Sequence, residues 1–384
     1  MAKIQNSDVK QCSKCILDSN DDPAIFFDND GVCNYCLHHE VYLMRSGNKK
    51  NRDKEFEKLI LEIKEKGKGK PYDCIIGVSG GVDSTYVAYL AKQRGLRPLA
   101  VHLDYGWNSE MAVANITNTL NKLGIDLYTH VVDWEEIKDL QLAFLKASVV
   151  DIELLNDFAI FAILYNQAYN RGIKYVLHGM NVETEGEKLP AGWAHEKFDE
   201  LNILSIHKKF GSVKLKTYPR LSFFKRYYLN VVYKLQWIGV LNYISYNKDE
   251  VKKLIMKELD WKDYGGKHFE SIFTRFYQAY ILPKKFNIDK RKFHYSVLIT
   301  SGQMTKEEAL KEMQKPIYDP QMFKDDYAFV LKKLGLTETE FEKTMAAKPV
   351  SHLAYDSYLK KHYRYNELFF NKIKPLRQLF RKDK

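Results

Sequence analysis

The sequence predicts an α/β protein: a doubly wound parallel sheet with an N-terminal zinc-ribbon-like module and a helical C-terminal region. Three observations lead there. Between residues 72 and 178, short apolar runs alternate with helix-length amphipathic segments, the rhythm of parallel strands joined by helical crossovers. Two Cys-x-x-Cys pairs precede that region. Beyond about residue 210 apolar residues recur at helical spacing. The corresponding division is 1–50, 51–210 and 211–384. A chain of 384 residues with 45% hydrophobic and 28% charged content can bury a core of that extent.

Four of the five cysteines form the pairs Cys12-Ser13-Lys14-Cys15 and Cys33-Asn34-Tyr35-Cys36, with 17 residues between them. Each pair turns two thiolates to one side, and four thiolates complete the tetrahedral set of a structural zinc. Asp28-Asn29-Asp30-Gly31 supplies a hairpin turn between the knuckles. The competing readings are disulfides, which a reducing compartment disfavours, and redox chemistry, which does not require both pairs. A closed four-sulfur site leaves no position for substrate, so the metal is expected to be a staple. His38 and His39 are either stand-in ligands or surface residues.

A polar stretch at 46–53 leads into a helix with Phe56, Leu59, Ile60 and Ile63 on one face, ended by the Gly- and Lys-rich residues 67–71. Residues 72–78 read as a buried strand, 83–94 as a helix, 98–104 as a strand, 109–123 as a helix and 127–132 as a strand. Helices follow to Arg171, then a strand at 175–178. Ligands of such sheets sit at the carboxyl ends of the strands, which directs attention to 79–84, 104–107 and 179–181. Farther on, Tyr227, Tyr228, Val231, Val232 and Leu235 recur at helical spacing, as do Val251, Leu254, Ile255 and Leu259. An aromatic stripe of this kind is expected to be core rather than a nucleic-acid stacking platform. No internal repeat is apparent.

The strand at 72–78 runs into Ser79-Gly80-Gly81-Val82-Asp83-Ser84. Glycines let main-chain N–H groups approach anion oxygens, and the following helix N-terminus adds unpaired donors and a favourable dipole. No Gly-x-x-x-x-Gly-Lys-Ser/Thr motif is present there. The hexapeptide resembles the PP-loop of ATP pyrophosphatases, which split ATP between its α- and β-phosphates.

Net charge +11 and a pI near 9 favour acidic partners: nucleotides, sugar nucleotides, RNA or an anionic membrane surface. Part of the excess lies in Lys372, Lys374, Arg377, Arg381, Lys382 and Lys384, which read as a solvated end. No run approaches the roughly 20 apolar residues of a membrane span, and the first residues lack a signal-peptide core, so a cytoplasmic location is expected.

The block at 265–276 (Gly265-Gly266-Lys267-His268-Phe269-Glu270-Ser271-Ile272-Phe273-Thr274-Arg275-Phe276) precedes Ile281-Leu282-Pro283-Lys284-Lys285-Phe286. Asp289-Lys290-Arg291-Lys292 and Ser301-Gly302-Gln303-Met304-Thr305 come next. Together with the cysteine pairs and the hexapeptide, this succession resembles the N-acetyl sugar amidotransferase family of bacterial surface-polysaccharide gene sets, over roughly residues 10 to 320. The resemblance implies a sheet of the adenine-nucleotide α-hydrolase (PP-loop) type and conversion of an acetamido group on a nucleotide-linked sugar into an acetamidino group. It also implies lipopolysaccharide O-antigen biosynthesis, and ammonia from separate glutaminase and cyclase-like subunits. The chain opens Met1-Ala2, without the terminal cysteine of one amidotransferase class. Its one unpaired cysteine, Cys74, falls inside a predicted strand as core filler. An imported ammonia supply is therefore expected.

ATP, Mg2+ and structural Zn2+ are the implied cofactors. Ser79, Gly80, Gly81, Val82 and Ser84 are expected to hold the pyrophosphate, and Asp83 to bind magnesium or simply cap its helix. His102 and Asp104 border the adenosine, with Asp104 as a mere turn residue the alternative. Gly179 and Asn181 lie at the next strand end. Asn181 and Glu183 face the α-phosphate or sugar, or else are solvated. Lys267 and Arg275 are candidate catalytic cations. Lys284, Lys285, Lys290 and Arg291 neutralise the substrate diphosphate or form a basic surface. Trp193 and His195 sit on a candidate substrate loop. The rivals are a tRNA-modifying PP-loop enzyme, although nucleic acid is not the expected partner, and a non-enzymatic zinc-ribbon adaptor.

Overall fold

A computed structural model describes residues 9–45, 49–186, 189–265 and 269–362. Helices α1 (Asn34–Arg45) and α2 (Lys49–Gly67) lead to β1 (Cys74–Gly77), α3 (Val82–Gln93), β2 (Pro98–Asp104), α4 (Glu110–Leu123) and β3 (Asp126–Val131). Then come α5 (Trp134–Ala147), α6 (Leu154–Asn170) and β4 (Tyr175–His178). The four predicted strands and their crossover helices are all present, with ends displaced by at most a few residues. Gly124 ends α4 in the left-handed conformation and Ser109 caps its start, accepting from the Ala112 N–H.

The remaining elements are α7 (Val182–Glu185), α8 (Glu200–Phe210), α9 (Phe223–Val231), β5 (Gln236–Gly239), α10 (Lys248–Leu259) and α11 (Ile272–Phe276). A π-helix at Tyr277–Phe286 follows, then α12 (Lys290–Thr300), α13 (Lys306–Met313), α14 (Pro320–Leu334) and α15 (Glu338–Ala346).

All sheet pairings are parallel, in the order β3-β2-β1-β4-β5. The winding reverses between β1 and β4, which places the ligand-binding crevice at their carboxyl ends. Both faces of the sheet are covered. Ile75, Leu99, Val101 and Val176 pack with Phe144 and Phe158 of α5 and α6. Cys74, Ile76, Ala100 and Leu177 pack on the other side with Val87, Leu120 and Ile255 of α3, α4 and α10. This alternation is the period-two signature of strands buried on both faces. Ile75 and Ile76 are wholly buried, each contributing roughly 2 kcal/mol.

Two expectations change. Strand β5 lies in the segment read as helical, and it extends the sheet through pairing of Val176 with Trp237. The stripe on α9 is not core: Tyr227, Tyr228, Val231 and Val232 are exposed, and only Leu235 beyond them is buried. Val251, Ile255 and Leu259 of α10 are buried as expected. The basic residues at 372–384 lie outside the described residues.

Candidate active site

Loop 79–84 connects β1 to α3 at the crevice. Gly80 has φ +81°, and a Cβ there would stand 2.5 Å from the Ala112 carbonyl oxygen. Glycine is therefore required both by the turn and by the close approach of α4. The buried indole of Trp261 donates to the Gly80 carbonyl (2.8 Å). Hydroxyls curl the loop: Ser79 N–H donates to Ser84 Oγ (3.3 Å), Gly81 N–H to Ser79 Oγ (3.3 Å), and Ser84 Oγ–H to the Gly81 carbonyl (3.2 Å). Gly81 caps α3 without a side-chain acceptor. The first turn of α3 thus presents amide donors to the crevice, which is what an anion needs.

Ser79, Gly81, Val82, Asp83, Ser84 and Gly179 line a cleft of about 460 Å³, within the size range of small-molecule sites. A Cβ on Gly179 would meet the Asp83 Cβ at 2.8 Å, so this glycine lets β4 close against α3. Asp83 accepts from Tyr246 Oη, and Lys248 Nζ lies 3.7 Å from its other oxygen. Burial, reinforced by the Asp83 carboxylate, pushes the Tyr246 phenol well above its usual range, so it remains a donor. Lys252, one turn past Lys248 on α10, also lines the cleft and pairs with Asp263 (2.9 Å). Tyr264, Glu270, His294 and Gln303 complete the lining.

Sequence reading missed Lys248, Lys252, Tyr246, Tyr264 and His294. The i, i+4 lysine pair on α10 was a visible signal, but nothing local ties that helix to the loop.

Other predicted residues are engaged elsewhere. His102 is buried, which lowers its pKa and keeps it neutral; Nδ1–H donates to the Val78 carbonyl (2.9 Å) and Nε2 accepts from Asn108 (3.1 Å). It thus supports the root of the loop. Asp104 accepts from Gly106 N–H (2.9 Å), the turn role. Asn181 caps α7, accepting from Thr184 N–H (2.9 Å), and Glu183 pairs with Arg52 (3.3 Å). Arg275 makes a bidentate pair with Asp326 (2.7 Å on both arms). Lys285 donates to the Thr344 and Ala347 carbonyls, and Arg291 pairs with Asp289 (2.8 Å). Lys284 lies beside the Tyr280 ring, and Lys290 is packed near Tyr277. Lys267 lies outside the described residues.

The four cysteines are buried, with all their sulfurs within 4.8 Å of one another. The Cys12–Cys36 and Cys15–Cys33 separations are 3.9 and 3.7 Å. Zinc–sulfur bonds of about 2.3 Å in a tetrahedron require sulfur separations of about 3.8 Å. The donor set therefore fits zinc. His38 and His39 are not in it; His39 contacts the Val182 carbonyl (2.8 Å) and Thr300 Oγ1. The module is bolted to the rest of the chain. Lys292 of α12 pairs with Asp18 (2.6 Å) and Asp21 (2.9 Å), and Lys306 donates to the Cys12 carbonyl (2.7 Å). The Trp193 indole donates to the Asp21 carbonyl (2.8 Å), so Trp193 is an anchor for the module. His195 stacks on His352 (4.4 Å) and pairs with Asp199 (2.9 Å), away from the cleft.

Residues 73–183 match the family model of the queuosine biosynthesis protein QueC, and residues 270–369 match the C-terminal domain of WbpG-like LPS biosynthesis proteins. An uncharacterised protein of Methanocaldococcus jannaschii is 25% identical over 334 residues, covering 85% of this chain and 99% of that one. The tRNA(Ile)-lysidine synthase of Chlamydia pneumoniae is 35% identical over 71 residues, 17% of this chain and 22% of that protein. An NH3-dependent NAD synthetase from Campylobacter jejuni shares 16% identity at a TM-score of 0.29, covering 71% of this chain and 100% of its own. With the loop at the switch point of a parallel sheet and both family segments in one chain, the protein resembles PP-loop proteins over residues 73–183 and the WbpG-like family over residues 270–369.

Proposed function

We propose that the protein is an ATP-dependent amidotransferase acting on a nucleotide-linked N-acetyl sugar. It would adenylate the acetamido oxygen and replace it with ammonia, giving an acetamidino sugar, AMP and pyrophosphate in cytoplasmic synthesis of surface polysaccharide such as LPS O-antigen. One observation carries this reading. The cleft that holds the PP-loop is also walled by His294 and Leu298, which belong to the segment matching the WbpG-like domain.

The chemistry requires a leaving group on a poor electrophile. The amide oxygen attacks the α-phosphorus, the bond to the β-phosphate breaks, and pyrophosphate departs. Ammonia adds to the imidate carbon, a proton is lost, and AMP leaves carrying the original amide oxygen. The amides of the loop and of the first turn of α3 would hold the pyrophosphate. Lys248 and Lys252 would offset the charge that develops on the phosphates. Lys248 is preferred to Arg275, whose guanidinium is engaged by Asp326. Lys267 stands as a candidate from the sequence alone. His294 and Gln303 line the same cleft as the loop and would orient the sugar.

The cleft also carries Asp83, Glu185, Asp249 and Glu270. These carboxylates would repel a polyphosphate unless a divalent cation came with it. Asp83 plus phosphate oxygens suits magnesium, which would neutralise charge on the phosphates. Cys74 is fully buried, and burial pushes its thiol well above the usual range. With the other four cysteines in the zinc set, none suits a glutaminase nucleophile, which supports ammonia supply by separate glutaminase and cyclase-like subunits.

The test mixes protein, magnesium-ATP, ammonium and acetamido-sugar nucleotides bearing a heavy-oxygen label in the acetamido group. Release of pyrophosphate and labelled AMP is expected. Stimulation of turnover by tRNA and by no acetamido sugar would defeat the proposal in favour of RNA modification.

A further inference from the structure

We infer that the outward face of α9 docks the protein on an anionic lipid surface. Phe223, Phe224, Tyr227, Tyr228 and Val231 of α9, with Val232 just beyond, are 44, 81, 58, 43, 52 and 62% exposed. At 3.6 residues per turn, the five helical positions span about 140° of the cylinder. Leu229, the buried residue of α9, lies on the opposite side. A surface helix ordinarily turns its apolar stripe to the core; among the described residues this one leaves most of it exposed, with Phe223 set against Tyr358 (5.7 Å) and Tyr228 against Tyr169 (6.2 Å). Single exposed apolar residues are commonplace, whereas a contiguous stripe of six marks a contact surface.

The surroundings are basic. Lys225 and Arg226 lie on the helix and Lys234 follows it, and from Leu201 to Lys248 the sequence contains no Asp or Glu. Lys225 donates to the Asn166 side-chain oxygen (2.6 Å), and the Arg226 guanidinium lies over the Phe198 ring (4.3 Å), both uncharged partners. Aromatic and branched apolar residues flanked by lysine and arginine compose helices that lie in a membrane interface, where headgroups attract the cations and the rings insert. A second copy on the same face would set these cations against their own counterparts. RNA would stack on the rings but leave Val231 and Val232 without a use.

The face is also remote from the cleft. Tyr228 and Tyr233 pack on Tyr169 at the end of α6 (6.2 and 5.1 Å), and Tyr233 Oη–H donates to the Ile173 carbonyl just before β4 (3.1 Å). That is the amino end of the strands, whereas loop 79–84 is at the carboxyl end. A docked molecule would keep its cleft open to soluble ligands.

The experiment co-sediments the full chain with equimolar phosphatidylglycerol–phosphatidylcholine vesicles and with pure phosphatidylcholine vesicles. Binding to the anionic vesicles alone, weakening with salt, is expected. Phe224→Ser with Val232→Ser should lower the partition coefficient roughly 10-fold or more, with the melting temperature and ATP turnover unchanged. The inference is overturned if the wild type ignores anionic vesicles or if the double variant binds them equally. It is also overturned if these residues instead mediate dimerisation or RNA retention. None of these outcomes depends on which acceptor the cleft uses.

Discussion

Adjacent glycines in loop 79–84 should fail in opposite ways when replaced by alanine. At Gly80 the backbone is at φ +81°, and the new methyl group would lie 2.5 Å from the Ala112 carbonyl oxygen and 3.1 Å from its carbonyl carbon and Cα. The left-handed conformation costs about 1–2 kcal/mol, and displacing the backbone of α4 adds about 1–3 kcal/mol. A total of roughly 2–5 kcal/mol corresponds to a fall in melting temperature of roughly 2–6 °C for a chain of this size. At Gly81, φ is −75° and the methyl group would meet the tips of Ser79 and Tyr264, both at 3.2 Å. Side-chain tips can give way, so the fold should lose less than about 1 kcal/mol. The methyl group would nonetheless stand where phosphate oxygens approach the loop amides. A ligand at 100 times its Kd stabilises the native state by about 2.7 kcal/mol, and a 100-fold loss of affinity leaves only about 0.4 kcal/mol. Thermal melting with and without magnesium-ATP reads both effects. The reasoning fails if Gly80→Ala melts with the wild type, or if Gly81→Ala keeps the full ATP-induced shift.

Lys248→Ala should lower kcat by about 100-fold or more with little change in melting temperature. Arg275→Ala should instead cost about 3–5 kcal/mol of stability, because the buried Asp326 would lose its counter-charge and keep only the Tyr318 hydroxyl; lost turnover in an unchanged fold would reverse these assignments. Cys33→Ser should remove zinc from the purified protein and make residues around Lys292 and Trp193 sensitive to protease, and an unaltered digestion pattern would count against the anchoring role. Glu153 is buried, and burial foremost, with Asp157 nearby, raises its carboxyl to about 7. A carboxyl raised in the native state favours folding in its protonated form, so its contribution is present below the unfolded value near 4.5 and is lost as pH rises toward 7. The stability difference between wild type and Glu153→Gln should therefore grow by a few kcal/mol across that window, and a flat difference in denaturant titrations would refute it.

The central sheet was legible because β1, β2 and β4 are buried on both faces and read as continuous apolar runs bounded by turn residues. Strand β5 was not, since Gln236-Trp237-Ile238-Gly239 is a short edge strand following a segment of helical periodicity. The α9 stripe misled for a related reason: periodicity reports that one face is apolar but not which way it points. Cysteine spacing specified the four-sulfur cluster, because the tetrahedron of thiolates that zinc takes is a local demand. Cations could not be sorted in this way. Arg275 is claimed by Asp326 and Lys292 by Asp18 and Asp21, partners distant in sequence, while Lys248 reaches Asp83 only because α10 packs on α3.

The late position of β5 has a consequence for synthesis on the ribosome. Strand β4 ends at His178, but its neighbour does not emerge until Gln236–Gly239. Until then one flank of the nascent nucleotide-binding sheet presents unpaired amides and carbonyls at β4, a strand the finished protein buries. Release ending near residue 210 would leave that flank permanently bare, so premature termination should yield an aggregating fragment rather than a smaller working domain.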